Sequence, residues 1–134
     1  MRLEEQSFSS DRFSRAQYER LLESREGTTL VVEVGGEIAG SAIVLWRRGY
    51  RGARLYSIAI APGHRGEGLG RVLLEAAEQA ALRHGCSRMS LEVRKDNEAA
   101  LQLYRTAGYR HSREIPGYYE DGADAVRLIH EFEA

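Results

Sequence analysis

Residues Arg65-Gly66-Glu67-Gly68-Leu69-Gly70 follow an apolar, strand-like run from Leu55 to Ile60 and open a helix-like run from Leu69 to His84. A strand, a glycine-rich turn and a helix start in that order can cradle a phosphate. The first-turn N–H groups have no intrahelical partners, and the helix dipole adds partial positive charge there. Gly66, Gly68 and Gly70 carry no Cβ, so the backbone can turn left-handed and lie against a ligand's oxygens. Two common phosphate loops are excluded by spacing. A Walker A loop ends in Gly-Lys-Ser/Thr, whereas this one ends Gly70-Arg71-Val72. The dinucleotide fingerprint G-x-G-x-x-G fails because Arg71 and Leu73 stand where its third glycine belongs. What remains is R-x-x-G-x-G between a strand and a helix, or a glycine-rich turn that only caps a helix.

Composition narrows the class further. A chain of 134 residues, 43% hydrophobic and 29% charged, suits one compact domain that buries about two-thirds of its unfolded surface. The formal net charge of -1 and pI near 6.4 argue against a protein that mainly coats nucleic acid. Cys86 is the only cysteine, so no internal disulfide can form and a reducing compartment fits best. A small hydrophobe at the start of a strand describes Cys86 better than a nucleophile paired with His84. The four histidines lack the paired spacing of a zinc site, and no metal is expected. No apolar run approaches membrane-spanning length, and the N-terminus lacks a signal-peptide pattern, so the expectation is a soluble, cytoplasmic protein without membrane contact.

Along the chain, Met1 to Ser24 reads as helical in two pieces. Ser14 and Gln17 have capping-box spacing, and Tyr18, Leu21 and Leu22 recur at helical intervals. From Thr28 to Val34 the residues are mostly β-branched, Gly35-Gly36 makes a hairpin turn, and Glu37 to Trp46 returns as a strand. The loop Arg47 to Arg54 gathers four arginines around Tyr50; it is either solvated or in contact with an acidic partner or a cofactor phosphate. A third strand runs Leu55 to Ala61 and stops at Pro62. The helix after the glycine turn buries Leu69, Val72, Leu73, Ala76, Ala77 and Ala80, and Gly85 stands where a left-handed cap belongs. Met89, Leu91 and Val93 alternate as a strand, which completes a right-handed βαβ unit whose parallel strands flank a ligand crevice. Asp96 or Asn97 starts a second helix carrying Ala100, Leu101 and Tyr104 on one stripe, with Gly108 as its stop. A strand from Tyr109 to Ile115, an irregular segment and a last strand from Ala125 to Phe132 follow.

Several side chains could carry chemistry. Glu92 points opposite to Met89, Leu91 and Val93 near the carboxyl end of its strand, so it lies either in a cleft or in an ion pair with Arg88, Arg94 or Arg110. Tyr104 is either a core tyrosine with its hydroxyl satisfied or a proton donor. Asn97 is at minimum a helix cap. Tyr118 and Tyr119 either wall a pocket or pack a loop.

The loop R-x-x-G-x-G resembles the acyl-CoA pyrophosphate loop of the GNAT acetyltransferases. The stretch Leu91-Glu92-Val93-Arg94, with Asn97, Ala100, Leu103-Tyr104, Gly108-Tyr109, Tyr118-Tyr119, Asp121-Gly122 and Asp124-Ala125, is similar to the RimI-like branch, which acetylates protein N-termini. The resemblance runs in order over about Leu30 to Phe132. It implies an α/β GNAT acyl-CoA N-acyltransferase fold across residues 1–134 as a single domain. That fold is a mixed, mostly antiparallel sheet with a central splayed parallel strand pair and flanking helices. Too few residues precede Leu3 to Phe8 for the usual full first strand.

The same resemblance implies acetyl-CoA as co-substrate. Arg65, Gly66, Glu67, Gly68, Leu69, Gly70 and Arg71 would hold the pyrophosphate, and backbone groups of Ile58, Ala59 and Ile60 would line the pantetheine arm and polarise the thioester carbonyl. Asn97 and Tyr104 would also touch the cofactor. Glu92 would be the general base on the acceptor amine, Tyr104 the general acid toward the departing thiolate, and Tyr118 and Tyr119 a wall of the acceptor pocket. The implied acceptor is a protein N-terminus; a small amine or lysine side chain, a non-catalytic acyl-CoA-binding module and an RNA-associated factor using Arg47 to Arg54 are the competing readings. An oligomer is compatible with each. The chain departs from the family pattern at Ser9 to Phe13, where a Pro/Trp-containing link is usual, and at Ala123, where an acidic residue usually precedes Asp124. Both departures fall on the acceptor side.

Overall fold

The computed structural model describes the backbone of residues 3–10, 15–24, 27–47 and 49–132 and the side chains of residues 27–47 and 49–132. Strands β1 (Leu3–Ser10), β2 (Arg15–Ser24), β3 (Gly27–Val34), β4 (Glu37–Trp46) and β5 (Gly52–Ile60) precede helix α1 (Leu69–Arg83). Strand β6 (Arg88–Arg94), helix α2 (Glu98–Thr106) and strands β7 (Arg110–Ile115) and β8 (Ala125–Glu131) follow. The strands form one sheet in the order β1-β2-β3-β4-β5-β6-β8-β7.

The helical expectation for the N-terminal stretch is corrected. Leu3–Ser10 and Arg15–Ser24 pair antiparallel with each other, and β2 pairs antiparallel with β3. An exposed strand edge offers rows of backbone donors and acceptors, and pairing with it outweighs helix preferences of roughly 0.7 kcal/mol per residue or less. Ser14, half of the expected capping box, lies outside the described residues.

The remaining elements follow the patterning. Gly35 and Gly36 both take positive φ (59° and 86°), which a two-residue hairpin turn between right-twisted strands requires. Helix α1 buries Leu69, Leu73, Leu74, Ala77, Ala80 and Ala81 against β3, β4, β5 and β6. Its buried stripe is rotated from the expected one, with Leu74 and Ala81 inside and Val72 and Ala76 half-buried. Asn97 caps α2 by accepting the Ala100 N–H at 3.1 Å.

Two features of β5 shape the middle of the sheet. It pairs in parallel with β6 only at Gly52↔Arg88, Ala53↔Met89 and Arg54↔Ser90. Beyond those pairs β6 stays with β8 as far as Arg94↔Ala125, while β5 stays with β4 as far as Gly40↔Ile60. The two parallel strands therefore part. On the β4 side, Ile43 faces Ser57 and Val44 faces Leu55, leaving Tyr56 as the extra residue of a bulge. A bulge bends and over-twists its strand, here at the point where β5 separates from β6.

The core makes a direct stability prediction. Leu74 is fully buried beneath α1, whereas Leu82 is 40% exposed on the same helix. Leu74→Ala should destabilise the chain by about 2–5 kcal/mol, and Leu82→Ala by no more than about 0.5 kcal/mol. Urea unfolding midpoints read the difference; equal shifts would contradict the packing of α1.

Candidate functional site

The parting of β5 and β6 opens a cleft of about 340 Å³ whose lining includes Leu55, Ile58, Glu92, Asn97, Tyr104 and Tyr119. Strand alternation aims the backbone into it. The Ala61 N–H donates to the Ala39 carbonyl at 2.8 Å, so alternate amides of β5 face β4 and those of Ile58 and Ile60 face the opening. The Ala59 amide faces β4 by the same alternation, and so serves the sheet.

The glycine turn stands where the carboxyl end of β5 enters α1. Gly66 (φ 83°) and Gly68 (φ 79°) are left-handed, which a side chain at either position would resist. Gly70 differs, because it lies within α1 and a Cβ there would sit 3.4 Å from Leu103 Cδ2. Leu103 of α2 thus packs directly on the α1 backbone at Gly70. No side chain caps the start of α1 and its first turn holds no acid, whereas α2 is capped by Asn97 and has Glu98 in its first turn. No side chain among the described residues takes the first-turn amides of α1. Glu67 turns its carboxylate to His64 Nδ1 at 3.2 Å, and Arg71 pairs with Glu75 at 3.2 Å. The glycine turn and the parted strands together fit a ligand with a phosphate head and a long, narrow arm.

Glu92 is held differently from either sequence expectation. Its side chain is only 8% exposed, and Oε1 accepts the Arg54 Nε proton at 2.8 Å, with Arg54 Nη2 at 2.7 Å. Arg127 Nε approaches Oε2 at 3.9 Å. The ion-pair partners are therefore Arg54 and Arg127, and the expected candidates Arg88, Arg94 and Arg110 are corrected. Arg94 pairs with Asp121 at 2.8 Å, and Arg110 reaches Glu131 at 3.7 Å. Pairing and cleft coexist: Arg54 holds one carboxylate oxygen, and Oε2 accepts no hydrogen bond from the described residues. Burial works against the Arg54 charge, but the hydrogen bond and negative charge of Glu92 outweigh it and raise the guanidinium above its ordinary value.

Tyr104 is 5% exposed, and among the described residues its hydroxyl has no hydrogen-bond partner. Burial, and to a lesser extent the neighbouring Tyr119, push this phenol up to about 12. It therefore keeps its proton throughout the neutral range. The ring of Tyr109 meets Tyr104 edge-on at 5.8 Å and is itself anchored by its hydroxyl, which donates to Glu78 Oε2 at 2.8 Å.

Tyr118 and Tyr119 are in edge contact at 5.0 Å but play separate parts. Tyr119 lines the cleft, with the Arg94 guanidinium 5.1 Å from its ring centroid. Tyr118 stands outside it and accepts a 2.9 Å hydrogen bond from Arg54 Nη2. The cleft thus gathers Glu92, Tyr104, Asn97, Tyr119 and Ile58, while Arg65–Arg71 stand at the end of β5 and Tyr118 behind Arg54.

Sequence reasoning missed Arg54 and Arg127 because both look like surface arginines. The available signal was phase: Arg54 and Tyr56 alternate with Ala53 and Leu55, so Arg54 shares the sheet face of Glu92. Among the described residues no group of three His, Cys, Asp or Glu could hold a metal ion, and no helix is long and apolar enough to cross a membrane.

Comparison with known proteins agrees with this geometry. An uncharacterized N-acetyltransferase of Methanocaldococcus jannaschii is 34% identical over 100 residues, which cover 74% of this chain and 63% of the relative. The solved ribosomal-protein-S18-alanine N-acetyltransferase of Escherichia coli superposes with TM-score 0.75 at 29% identity, over 84% of this chain and 73% of that one. A structure of the NatC complex bound to Gag peptide and CoA gives TM-score 0.71 at 26% identity, over 78% of this chain and 71% of that one. Residues 1–109 match the acetyltransferase (GNAT) family profile, and with the cleft and glycine turn in place the chain belongs to that family.

Proposed function

We propose that the chain transfers the acetyl group of acetyl-CoA directly to an amine, and that the amine is a protein N-terminal α-amine, as in the RimI-like branch. The observation that carries the reading is the cleft itself: one opening between parted parallel strands presents a buried carboxylate, a protonated phenol and outward backbone amides. Two of the similar structures are named as a ribosomal-protein N-acetyltransferase and as a complex holding a peptide and CoA, which favours a peptide acceptor over a small amine.

Acetyl-CoA, when bound, supplies an activated acetyl thioester. The uncapped amides of Leu69, Gly70 and Arg71, with the left-handed Gly66 and Gly68, would hold its pyrophosphate, and Arg65 would add charge. The Ile58 and Ile60 amides would orient the arm and donate to the thioester oxygen. Glu92 Oε2 would take a proton from the acceptor amine, directly or through water, while Arg54 keeps the carboxylate in place. An α-amine needs little help, its reference value being about 7.7–8.0, whereas a lysine at about 10.4 needs more. Tyr104 Oη would give its proton to the sulfur as it leaves.

Three outcomes are expected. Glu92→Gln should lower kcat on an N-terminal peptide by roughly 10²–10⁴-fold near pH 7 with CoA affinity retained. An unchanged rate and pH profile would remove Glu92 from the mechanism. Tyr104→Phe should lower kcat, yet share the wild-type alkaline limb up to about pH 10, because a phenol pushed up to about 12 does not ionise in that range. A wild-type limb that falls near pH 9 and disappears in Tyr104→Phe would contradict this assignment. Gly68→Val should weaken CoA binding by on the order of tenfold or more in calorimetry, since a β-branched residue resists the left-handed turn. Wild-type protein that gives no heat with CoA would end the reading.

A further inference from the structure

A second cavity, of about 520 Å³, opens beside Arg54, and its walls include Arg47, Tyr50, Arg54, Arg88, Ser90 and Arg127. Among the described residues four arginines line it and no acidic residue does. Two acids stand at its edges: Glu92 engages Arg54 and Arg127, and Glu131, opposite Arg88 on β8, turns its carboxylate to Arg110 at 3.7 Å. Among the described residues Arg88 and Arg47 meet no carboxylate; the Arg47 guanidinium instead lies 4.8 Å from the Tyr50 ring centroid. The site is built rather than merely exposed. Arg88 lies across Gly52, its Nε 3.4 Å from where a Cβ would stand, so the guanidinium packs on the β5 backbone. Ser90, 7% exposed, accepts from Arg127 Nη2 at 3.3 Å and fixes a second one.

The register ties this cavity to the candidate catalytic cleft. Arg54 pairs with Ser90 across the parallel strands, and Glu92 pairs with Arg127 across the antiparallel ones. Glu92, Ser90 and Arg88 therefore follow one another down one face of β6, each step about 7 Å. An extended peptide advances about 3.3–3.6 Å per residue. A chain with its α-amine at Glu92 would bring its third residue level with Ser90, where Arg127 Nη2 is held, and its fifth level with Arg88, about 14 Å on, and strand alternation turns both side chains to one face.

We propose that this cavity selects acidic acceptors: the arginine cluster of Arg47, Arg88 and Arg127 receives the carboxylates of Asp or Glu at the third and fifth positions of the peptide whose N-terminus is acetylated. The inference rests on the N-terminal acetyltransferase reading and names its substrate class.

Two peptides of equal shape test it, one beginning Ser-Ala-Asp-Ala-Glu and the other Ser-Ala-Asn-Ala-Gln. The acidic peptide should show kcat/KM on the order of tenfold higher, about 1.4 kcal/mol, at low ionic strength, and the advantage should shrink as salt rises from about 0.05 to 0.5 M. The double variant Arg47→Gln/Arg88→Gln should bring the ratio close to unity, and Arg88→Lys should restore part of it. Arg105→Gln, on the exposed face of α2, should leave the ratio unchanged. Equal kcat/KM for the two peptides, or a preference that survives the double variant, overturns the inference while the acetyltransferase reading stands. If neither peptide is acetylated, that reading fails, and the fluorescence of Trp46, the sole tryptophan and a wall of the cavity, decides the inference separately. A saturable, salt-sensitive response to the N-acetylated Ser-Ala-Asp-Ala-Glu peptide that is lost in the double variant supports it; no response, or displacement by RNA at far lower concentration, overturns it.

Discussion

The separation of β5 from β6 after three paired residues governs the rest of this structure. A strand inside a sheet must satisfy its backbone donors and acceptors on both sides. Beyond Arg54 and Ser90 neither strand can do so with the other, because β5 is held by β4 through the bulge at Tyr56 while β6 is held by β8. The fold thereby accepts a line of unpaired amides in its middle. A ligand arm with carbonyl and amide groups can complete that line, and in the GNAT family acetyl-CoA has such an arm. Under the proposed function, binding and framework are one feature, since the gap that weakens the sheet is also the surface offered to the cofactor.

Arg54 spans this gap at its narrow end. It sits on the last paired residue of β5 and reaches Glu92 on β6, so one side chain ties the two strands together where they begin to part. The pair is partly solvated on the arginine side, at 41% exposure, and contributes less to stability than to geometry. Its effect is to limit where the Glu92 carboxylate can point, and it draws Tyr118 onto the same guanidinium. Arg127 balances the arrangement from β8. A buried carboxylate between two arginines is compatible with proton transfer only if one oxygen is spared, and here Oε2 makes no closer approach than 3.9 Å to Arg127.

Much of this was legible in the residues because it depends on local backbone chemistry. Gly66 and Gly68 mark left-handed turns, Asn97 marks a helix start, Gly35-Gly36 marks a hairpin, and the alternation of Met89, Leu91 and Val93 marks a strand with Glu92 on its other face. Each signal is set by φ/ψ preference or side-chain period, which a residue carries wherever it is placed. The N-terminal stretch shows the limit of such signals. Tyr18, Leu21 and Leu22 recur at helical spacing, yet Arg15–Ser24 is a strand. There a weak local preference competed with the open edge of β3, and sheet pairing prevailed.

By itself the sequence determined the order of elements, the glycine turn that leaves helix amides uncapped, and the presence of a carboxylate, a phenol and a capping amide at fixed spacings. Only the tertiary structure decided that Glu92 is partnered by Arg54 and Arg127, that Tyr118 belongs to Arg54 and not to the cleft, and that three arginines from separate strands share one cavity with Arg47 of the loop after β4. The reason is range. Backbone conformation and period act over a few residues, whereas ion-pair choice depends on strand register between segments 38 residues apart, as Arg54 and Glu92 are.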